Sequence, residues 1–254
     1  MNPRPYILSE ITYRVARETR YDVALLPWGA TEAHNLHLPY ATDTTQVEWT
    51  AAEAARLAWE RDVKVIVLPA VPFGVHTAQL DIPFCVNMNP STQLAVLHDV
   101  ADTVARSGVR KLVILNGHGA NDFKQIIREL APQVDLFIVA VTWWRIVDQA
   151  PYFTEPGDHA GEMETSVALH VVPQFVRPLS EAGSGAARSY RFAAFQEGWA
   201  WAPRRWSAIS QDTGVGNPAD ATADKGKRYA EALARKLAEF LVELANTDVG
   251  DMYR

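Results

Sequence analysis

The sequence predicts an α/β fold in which helices cover a mostly parallel β-sheet. Short runs of β-forming residues alternate along the chain with longer helical patterns, an order that is typical of parallel sheets. The chain has 254 residues, of which 48% are hydrophobic, and this is enough material for one sizeable core. We therefore expect a single domain over residues 1–254.

Four apolar runs are the predicted strands, and three longer patterns are the predicted helices. We expect strands at residues 23–26, 63–68, 112–115 and 136–141. We expect helices at residues 44–61, 91–107 and 221–246, where the composition and the three- and four-residue apolar spacing suit a helix. Ser91 after Pro90 is a helix start signal, and Gly108 is an end signal. Residues 177–216 show little periodicity, which predicts a partly structured flap or an oligomer contact.

The composition excludes several classes of protein. A formal net charge of -6 leaves few cations to neutralise phosphates, so we expect no nucleic-acid partner. Cys85 is the only cysteine, which excludes an intrachain disulfide, a four-thiolate zinc site and iron–sulfur ligation. No apolar run approaches the roughly 18 residues that a membrane span needs. The chain is therefore expected to be soluble and cytoplasmic, without a membrane partner.

Three segments of the chain are rich in metal-ligating side chains. The first contains Glu32 and His34, with Asp43 just downstream, the second is residues 116–119, and the third is residues 158–164. We expect all three in loops, and at least two at the carboxyl ends of strands, where open α/β sheets gather their ligands. A lone His or Asp in a loop is usually a cap or a solvated side chain. Their joint occurrence predicts one shared site.

Five of these side chains form a candidate metal centre. Glu32, His34, Asp43, His118 and Glu164 supply three carboxylates and two imidazoles. This set suits two divalent ions, for which Zn²⁺, Mn²⁺ and Fe²⁺ all qualify, with one carboxylate as a bridge. Two ions about 3.5–4 Å apart can share a water, lower its pKa and stabilise the oxyanion that forms when it attacks a carbonyl. The sequence therefore predicts hydrolysis of an amide-like bond.

Longer blocks around these residues resemble the creatininase, or creatinine amidohydrolase, family. The blocks are residues 26–34, 37–39, 42–44, 116–121, 159–166, 214–218, 221–222 and 225–226, and they occur in family order across almost the whole chain. The resemblance implies a three-layer α/β/α sandwich with a mostly parallel central sheet. It also implies that Asp43 bridges two ions, that Glu32 and His118 complete one site, and that His34 and Glu164 complete the other.

The resemblance further implies catalytic roles for two residues and an oligomeric state. His159 would lie beside the substrate, where it would polarise the carbonyl or carry a proton to the leaving nitrogen. Glu162 would orient a neighbour or shuttle a proton, although a carboxylate favoured by the dipole at a helix N-terminus explains it equally well. Relatives in the family are often hexamers, so a homo-oligomer is expected.

Departures from the family pattern bear on the substrate. Gly119 and Ala120 stand where creatinine-hydrolysing members carry an aromatic residue and a Glu, and Gln79 stands where many relatives carry a His. No Trp-Asp pair precedes His159. We therefore expect a small-molecule substrate with a non-peptide C–N bond, in a cyclic amide such as creatinine or in a formamide, and the departures argue against creatinine itself.

The sequence offers several candidate substrate contacts and two alternative functions. Candidate contacts by position are His37, His76, Trp143, Trp144, Arg145 and the run Arg204-Arg205-Trp206, although aromatic side chains more often pack in cores. The main alternative is a non-catalytic metal-binding or regulatory protein on the same scaffold. A phosphate-binding loop at residues 117–121 is a weaker alternative, because the Lys that such loops usually carry is absent.

Overall fold

The computed structural model describes residues 3–253, and four parallel strands form its central sheet. The strands are β1 (Val23–Trp28), β2 (Val65–Val67), β3 (Lys111–Asn116) and β4 (Phe137–Thr142). Their order across the sheet is β2-β1-β3-β4, and all three pairings are parallel. The α/β class and the parallel sheet are confirmed.

Helices precede, separate and follow these strands. They are α1 (Tyr13–Glu18), α2 (Thr42–Trp59), α3 (Pro90–Arg106), α4 (Phe123–Leu130), α5 (Glu162–Val171), α6 (Ala193–Gln196), α7 (Trp206–Ile209) and α8 (Ala223–Asn246). Single 3₁₀ turns lie at Leu8–Glu10, Trp143–Arg145, Pro173–Phe175 and Leu179–Glu181. Within residues 3–253, no helix has both the length and the hydropathy that a membrane span requires.

Successive strand residues point to opposite faces of the sheet, and each face is covered by its own helices. Leu25 and Val113 belong to a core cluster that also contains residues of α2 and α8. Ala24 and Leu112 belong to a second cluster with residues of α3 and α4. This alternation follows from the two-residue period of a strand. The three-layer α/β/α arrangement is therefore confirmed.

Two strands extend further toward the ligand-bearing loops than the sequence predicts. β1 continues through Pro27 to Trp28, and β3 continues to Asn116. β1 pairs with β2 on one side and with β3 on the other. The strand order therefore reverses between β1 and β3, and the loops after these two strands open into the crevice at that point, where open sheets bind ligands.

The expectation that all the ligand-rich segments lie in loops is wrong for three residues. Asp43 lies in the first turn of α2, and Glu162 and Glu164 lie in the first turn of α5. The helix predicted at residues 44–61 begins two residues earlier. Helix α5 is not among the three predicted helices, although the alternative explanation of Glu162 placed that residue at a helix N-terminus. Residues 177–216 are partly structured, as expected, with the short helices α6 and α7 and a 3₁₀ turn between irregular stretches.

Candidate metal centre

The ligand pocket begins in the loop after β1. This loop carries Glu32 and His34, and both side chains are fully buried. The start of α2 packs directly against the loop, since a Cβ atom at Gly29 would lie only 2.5 Å from the Cα atom of Thr44. A glycine is needed for an approach this close. The same approach brings Asp43, the neighbour of Thr44, into the pocket.

Asp43 lies between two groups of predicted ligands. Its Oδ1 atom is 3.0 Å from Nε2 of His34, and its Oδ2 atom is 3.2 Å from Nδ1 of His118. Despite this approach, Oδ2 is buried and accepts no hydrogen bond of normal geometry from residues 3–253. A buried carboxylate oxygen without a donor is costly unless a cation satisfies it. Asp43 therefore presents one carboxylate oxygen to each of the two groups.

Three histidines direct one ring nitrogen to the pocket and hold the other on a backbone carbonyl. The pairs are His34 Nδ1 with the Glu32 carbonyl at 3.1 Å, His118 Nε2 with the Val75 carbonyl at 3.0 Å, and His159 Nε2 with the Ala33 carbonyl at 2.8 Å. A carbonyl oxygen only accepts, so the bonded nitrogen donates its proton in each pair. When the imidazole is neutral, as it must be to bind a metal, the opposite nitrogen presents a lone pair. Metal-ligating histidines usually have this arrangement, because the carbonyl fixes the tautomer and the ring orientation.

One side of the pocket is built from loop residues. Oε1 of Glu32 lies 2.7 Å from Nδ1 of His118, and Oε2 of Glu32 accepts a hydrogen bond from the Gln79 side chain at 2.5 Å. Ligand atoms of Glu32, His76 and His118 lie within 4.8 Å of one another. Burial raises the pKa of Glu32, but the neighbouring His118 and His159 outweigh burial and hold that pKa well below its usual range. We call Glu32, His76 and His118 the loop side.

The other side of the pocket depends on the starts of two helices. Ligand atoms of His34, Asp43 and Glu164 lie within 4.8 Å of one another. The two carboxylates are in the first turns of α2 and α5, where the partial positive charge of a helix N-terminus favours them. Oε2 of Glu164 accepts a hydrogen bond from the backbone N–H of Ala160 at 2.5 Å, which leaves Oε1 for another partner. We call His34, Asp43 and Glu164 the helix side.

The charges in the pocket favour divalent cations. Glu32, Asp43 and Glu164 are buried carboxylates, and burial raises the pKa of Glu164, to which the Asp43 charge adds. Burial lowers the pKa of His34, but the Asp43 carboxylate outweighs burial and raises it to about 10. Like charges this close repel one another, and bound cations offset that repulsion. Oxygen and imidazole donors in this combination fit Zn²⁺, Mn²⁺ or Fe²⁺.

His159 lies at the edge of the pocket. Its Nδ1 atom is 4.0 Å from Oε1 of Glu32, and the centre of its ring is 5.2 Å from the centre of the Trp206 ring. Two backbone hydrogen bonds hold it, since the His159 N–H donates to the Val215 carbonyl at 3.0 Å and the Val215 N–H donates to the His159 carbonyl at 2.8 Å. The sequence block at residues 214–218 therefore contributes to the site by positioning His159.

Glu162 is buried, but it is not among the residues that line the cavity over the ligands. Its Oε2 atom accepts hydrogen bonds from the backbone N–H groups of Thr154 and Glu155, each at 2.9 Å. Its Oε1 atom pairs with Lys225 Nζ at 2.5 Å. Burial raises the pKa of Glu162, but the hydrogen bonds from Glu155 and Lys225 outweigh burial and lower the pKa. Both carboxylate oxygens are thus occupied by partners outside the pocket.

A cavity of about 330 Å³ opens onto the ligand atoms. Its lining includes Glu32, Asp43, His118, Glu164 and His159, so it lies over both sides of the pocket. Among the predicted substrate contacts, His76, Trp144, Arg145, Arg204 and Trp206 line this cavity. Trp143 is instead a core residue, and His37 is bonded through Nε2 to the Thr165 hydroxyl. Gln149 and Met163 also line the cavity, and no pattern in the sequence pointed to them.

The cavity adjoins a second space of about 800 Å³, with which it shares several lining residues. Gly119 and Ala120 line both spaces, and a Cβ atom at Gly119 would meet no atom of the described residues within 4 Å. Small residues at these two positions therefore leave the passage open. Arg145 and Arg204 also line both spaces, and Arg204 pairs with Asp158 at 2.6 Å. The guanidinium groups of Arg145 and Arg204 therefore line the passage together with the small residues Gly119 and Ala120.

Known proteins share this sequence pattern over most of its length. A family model described as creatininase, creatinine amidohydrolase, matches residues 9–241. The chain is 27% identical to the mycofactocin precursor peptide peptidase of Mycobacterium tuberculosis over 216 residues, which cover 82% of this chain and 80% of the relative. It is also 27% identical to the creatinine amidohydrolase of Pseudomonas putida, over 61% of this chain and 66% of the relative.

Solved structures share the fold. A Bacteroides fragilis protein, named as a candidate creatinine amidohydrolase, is 45% identical with a TM-score of 0.93, covering 98% of this chain and 99% of that chain. Creatininases described as Mn and Zn-Zn forms have TM-scores of 0.76 and 0.75 at 22% and 23% identity, each covering 96% of this chain and 100% of that chain. These two share the fold alone, and their names record Mn and Zn. With a family model matching from residue 9 to residue 241 on this fold, the chain belongs to the creatininase family of hydrolases.

Proposed function

We propose that this protein is a metal-dependent amidohydrolase that cleaves a C–N bond with an activated water. The observation that carries the proposal is the position of Asp43, whose two oxygens face the helix side and the loop side of one buried pocket. A carboxylate shared between two sets of ligands is typical of two-ion hydrolytic sites. Membership of a hydrolase family supports the same class.

Two divalent ions per chain, of Zn, Mn or Fe, are part of the proposal. Glu32, Asp43 and His118 would hold one ion, and His34, Asp43 and Glu164 would hold the other. When bound, such ions lower the pKa of water toward neutrality and stabilise the oxyanion at an attacked carbonyl. The orphaned Asp43 Oδ2 atom and the carbonyl-fixed rings of His34 and His118 support this ligand set.

His159 is the proposed catalytic histidine. Hydrolysis adds a hydroxide to the carbonyl carbon and a proton to the leaving nitrogen as the C–N bond breaks. Because Nε2 of His159 donates to the Ala33 carbonyl, Nδ1 carries the lone pair beside the cavity. Nδ1 can accept a proton from the attacking water and deliver it to the leaving nitrogen, which is general base and then general acid catalysis. An imidazole can both accept and donate a proton, which suits this task.

The resemblance predicted a catalytic role for Glu162, but we propose that its role is structural. Two backbone N–H groups and the Lys225 ammonium occupy its oxygens, so a proton transfer through Glu162 would disrupt these three contacts. Such contacts to an ionised carboxylate fix the segment before α5 onto its first turn. Glu162 thereby supports the position of Glu164 without touching the substrate.

The proposed substrate is a small molecule with a non-peptide C–N bond, in a cyclic amide such as creatinine or in a formamide. The modest volume of the cavity over the ligands, about 330 Å³, supports a compact reacting group. A second candidate is a peptide-like C–N bond in a longer substrate. The open passage past Gly119 and Ala120 favours it, and one relative is named as a peptide peptidase.

The alternative of a non-catalytic metal-binding or regulatory protein depends on Ala120, which stands where creatinine-hydrolysing relatives carry a Glu. The position and tautomer of His159 argue against this alternative, because a proton carrier is present at the cavity without that Glu.

Elemental analysis of protein loaded with Zn²⁺ or Mn²⁺, followed by a substrate screen, tests the proposal. We expect close to two ions per chain and turnover of at least one lactam, hydantoin, N-formyl amine or short peptide. Turnover of the small amides alone would favour the non-peptide bond, and turnover of peptides alone would favour the second candidate. Two bound ions without turnover of any of them would favour the non-catalytic alternative.

A homo-oligomer, up to a hexamer, remains a prediction. Phe192, Trp199 and Trp201 in the irregular segment are 64%, 74% and 84% exposed. Large apolar side chains exposed near one another often mark protein interaction surfaces. Sedimentation velocity should give a mass above that of one chain, and a monomer would contradict the oligomer without affecting the proposed chemistry.

A further inference from the structure

His76 is a buried histidine of the loop side, and the proposed ion sites leave it unused. It is 1% exposed, and neither ring nitrogen has a hydrogen-bond partner among residues 3–253. Buried polar groups are nearly always paired, and an imidazole that has lost water on both nitrogens needs a partner of another kind. The nearest candidate partner is an ion in the proposed metal centre.

The position of the His76 ring matches that of a ligand. Its Nδ1 atom is 3.6 Å from Oε2 of Glu32, and its ring centre is 4.4 Å from that of His118. Two donors that each lie about 2.1 Å from one ion at a tetrahedral angle are about 3.4 Å apart. Nδ1 of His76 and Oε2 of Glu32 are separated by nearly this distance, so both can reach one ion.

The backbone around His76 is fixed in this position. The His76 N–H donates to the Asn87 side chain at 2.8 Å, and the Met88 N–H donates to the Gly74 carbonyl at 2.7 Å. A Cβ atom at Gly74 would lie 2.8 Å from the His118 ring, so a glycine is what lets this loop cross the ring so closely. The loop is therefore held against the ligands before any ion binds, which is the preorganisation that a metal site needs.

We propose that His76 is an additional protein ligand of the loop-side ion. That ion would then have four protein ligands, Glu32, Asp43, His118 and His76, whereas the helix-side ion has three. The inference rests on the proposed two-ion centre. A further imidazole makes the loop side richer in nitrogen, and nitrogen donors favour Zn²⁺ over Mn²⁺. The loop-side ion is therefore expected to be the tighter of the two and the last to leave on chelation.

The first test is metal retention by His76→Asn. After dialysis against a mild chelator, we expect wild type to retain its loop-side ion and the variant to bind that ion at least about 10–100-fold more weakly. His37→Asn is the matched control, because His37 is equally buried but is bonded to Thr165 and lies outside all three groups of possible ligands. Zinc X-ray absorption should count three imidazoles over two ions in wild type and two in the His76 variant.

A second variant gives a spectroscopic answer that does not depend on affinity. In Co²⁺-loaded His76→Cys, a thiolate at position 76 would add a sulfur-to-cobalt charge-transfer band. Co²⁺-loaded wild type is the blank, since it retains Cys85 on the neighbouring loop. The band supports the inference, and its absence in a folded variant that holds two ions overturns it.

The outcomes separate this inference from the proposed function. Two ions in wild type, with unchanged affinity and imidazole number in His76→Asn, would overturn the ligand role of His76 and leave the two-ion centre standing. A wild type that binds no Zn²⁺, Mn²⁺ or Co²⁺ would overturn both. Circular dichroism and thermal melting of each variant verify that lost metal does not reflect lost folding.

Discussion

The two sides of the ligand pocket are built by different means. On the helix side, Asp43 and Glu164 lie in the first turns of α2 and α5, so their positions depend on how whole helices pack. On the loop side, Glu32, His76 and His118 lie on loops that are fixed by individual hydrogen bonds and close backbone approaches. One half of the site therefore shares in the global stability of the fold, whereas the other half can be disturbed locally.

Contacts between helices show how the helix side is coupled to the core. The Gln46 side chain in α2 donates to the Glu164 carbonyl in α5 at 2.9 Å. A Cβ atom at Gly226 in α8 would lie 1.8 Å from the Ser166 carbonyl oxygen in α5. Because α5 and α8 meet backbone to backbone at this glycine, a shift of either helix moves the carboxylate of Glu164.

Asp43→Asn should have the largest effect, because Asp43 belongs to the helix side and faces the loop side as well. The neutral amide cannot bridge two cations, so we expect both ions to be weakened together and turnover to fall by about 10³-fold or more, corresponding to the loss of several kcal/mol of transition-state stabilisation. Elemental analysis and initial rates measure this. Retention of two ions in Asp43→Asn would mean that Asp43 does not bridge.

Gly226→Ala should disturb the helix side alone. The new methyl group would collide with the Ser166 carbonyl, and overpacking of this kind costs about 1–3 kcal/mol in the free energy of unfolding. We also expect weaker binding of the helix-side ion with little change at the loop side. Gly119→Ala is the control for stability, because its Cβ atom would meet no described atom within 4 Å. Urea denaturation measures both variants, and equal stability would show that α5 and α8 separate without strain.

Gln79→Ala should disturb the loop side alone. The amide of Gln79 orients the Glu32 carboxylate, and removing a partner of a metal ligand typically lowers metal affinity by about 10–100-fold. We expect that loss for the loop-side ion, with the helix-side ion and the melting temperature nearly unchanged. Competition with a chromophoric chelator measures the two affinities. A change at the helix-side ion of the same size would remove the distinction between the sides.

Glu162→Gln should have the smallest effect on turnover, within a few-fold of wild type, while it lowers stability. Charge-assisted hydrogen bonds are worth about 1.5–3 kcal/mol, so we expect a loss in that range near pH 7. The pKa of Glu162 is lowered in the folded state, so its contribution is present above the unfolded value of about 4.3 and is lost as pH falls through the folded pKa. The stability gap to wild type should therefore close in acid.

Urea unfolding at several pH values measures this gap, with Glu239→Gln on the exposed face of α8 as the control. A gap that stays constant down to pH 3 would contradict the ion pair with Lys225. A loss of turnover comparable to that of a His159 variant would restore Glu162 as a catalytic residue.

The regular parts of the fold were predictable from local pattern, and the exceptions have physical reasons. The four strands and the three long helices follow from periodicity and end signals. β1 continues past the predicted end because Pro27 is tolerated in the sheet, where Leu115 is its partner on β3. Helix α5 was missed because seven of its ten residues are buried, so no polar face marks it in the sequence.

The convergence of the candidate ligands could be predicted from the sequence, but the contacts that support them could not. The structure brings Glu32, His34, Asp43, His118 and Glu164 together, although their functional roles remain proposals. Pairings such as Glu162 with Lys225 link residues 63 positions apart, and no local pattern reveals them. His76 could be proposed only as a contact by position, since a lone histidine carries no spacing signal.

The bare backbone at Gly119 bears on how such an enzyme can evolve. A side chain added there would extend into open space beside the two spaces and would not displace the core. Substrate length could therefore change by single substitutions at this position while the fold and the ion pocket stay intact. Descendants of one ancestral scaffold could in this way divide between compact and extended substrates without first losing stability.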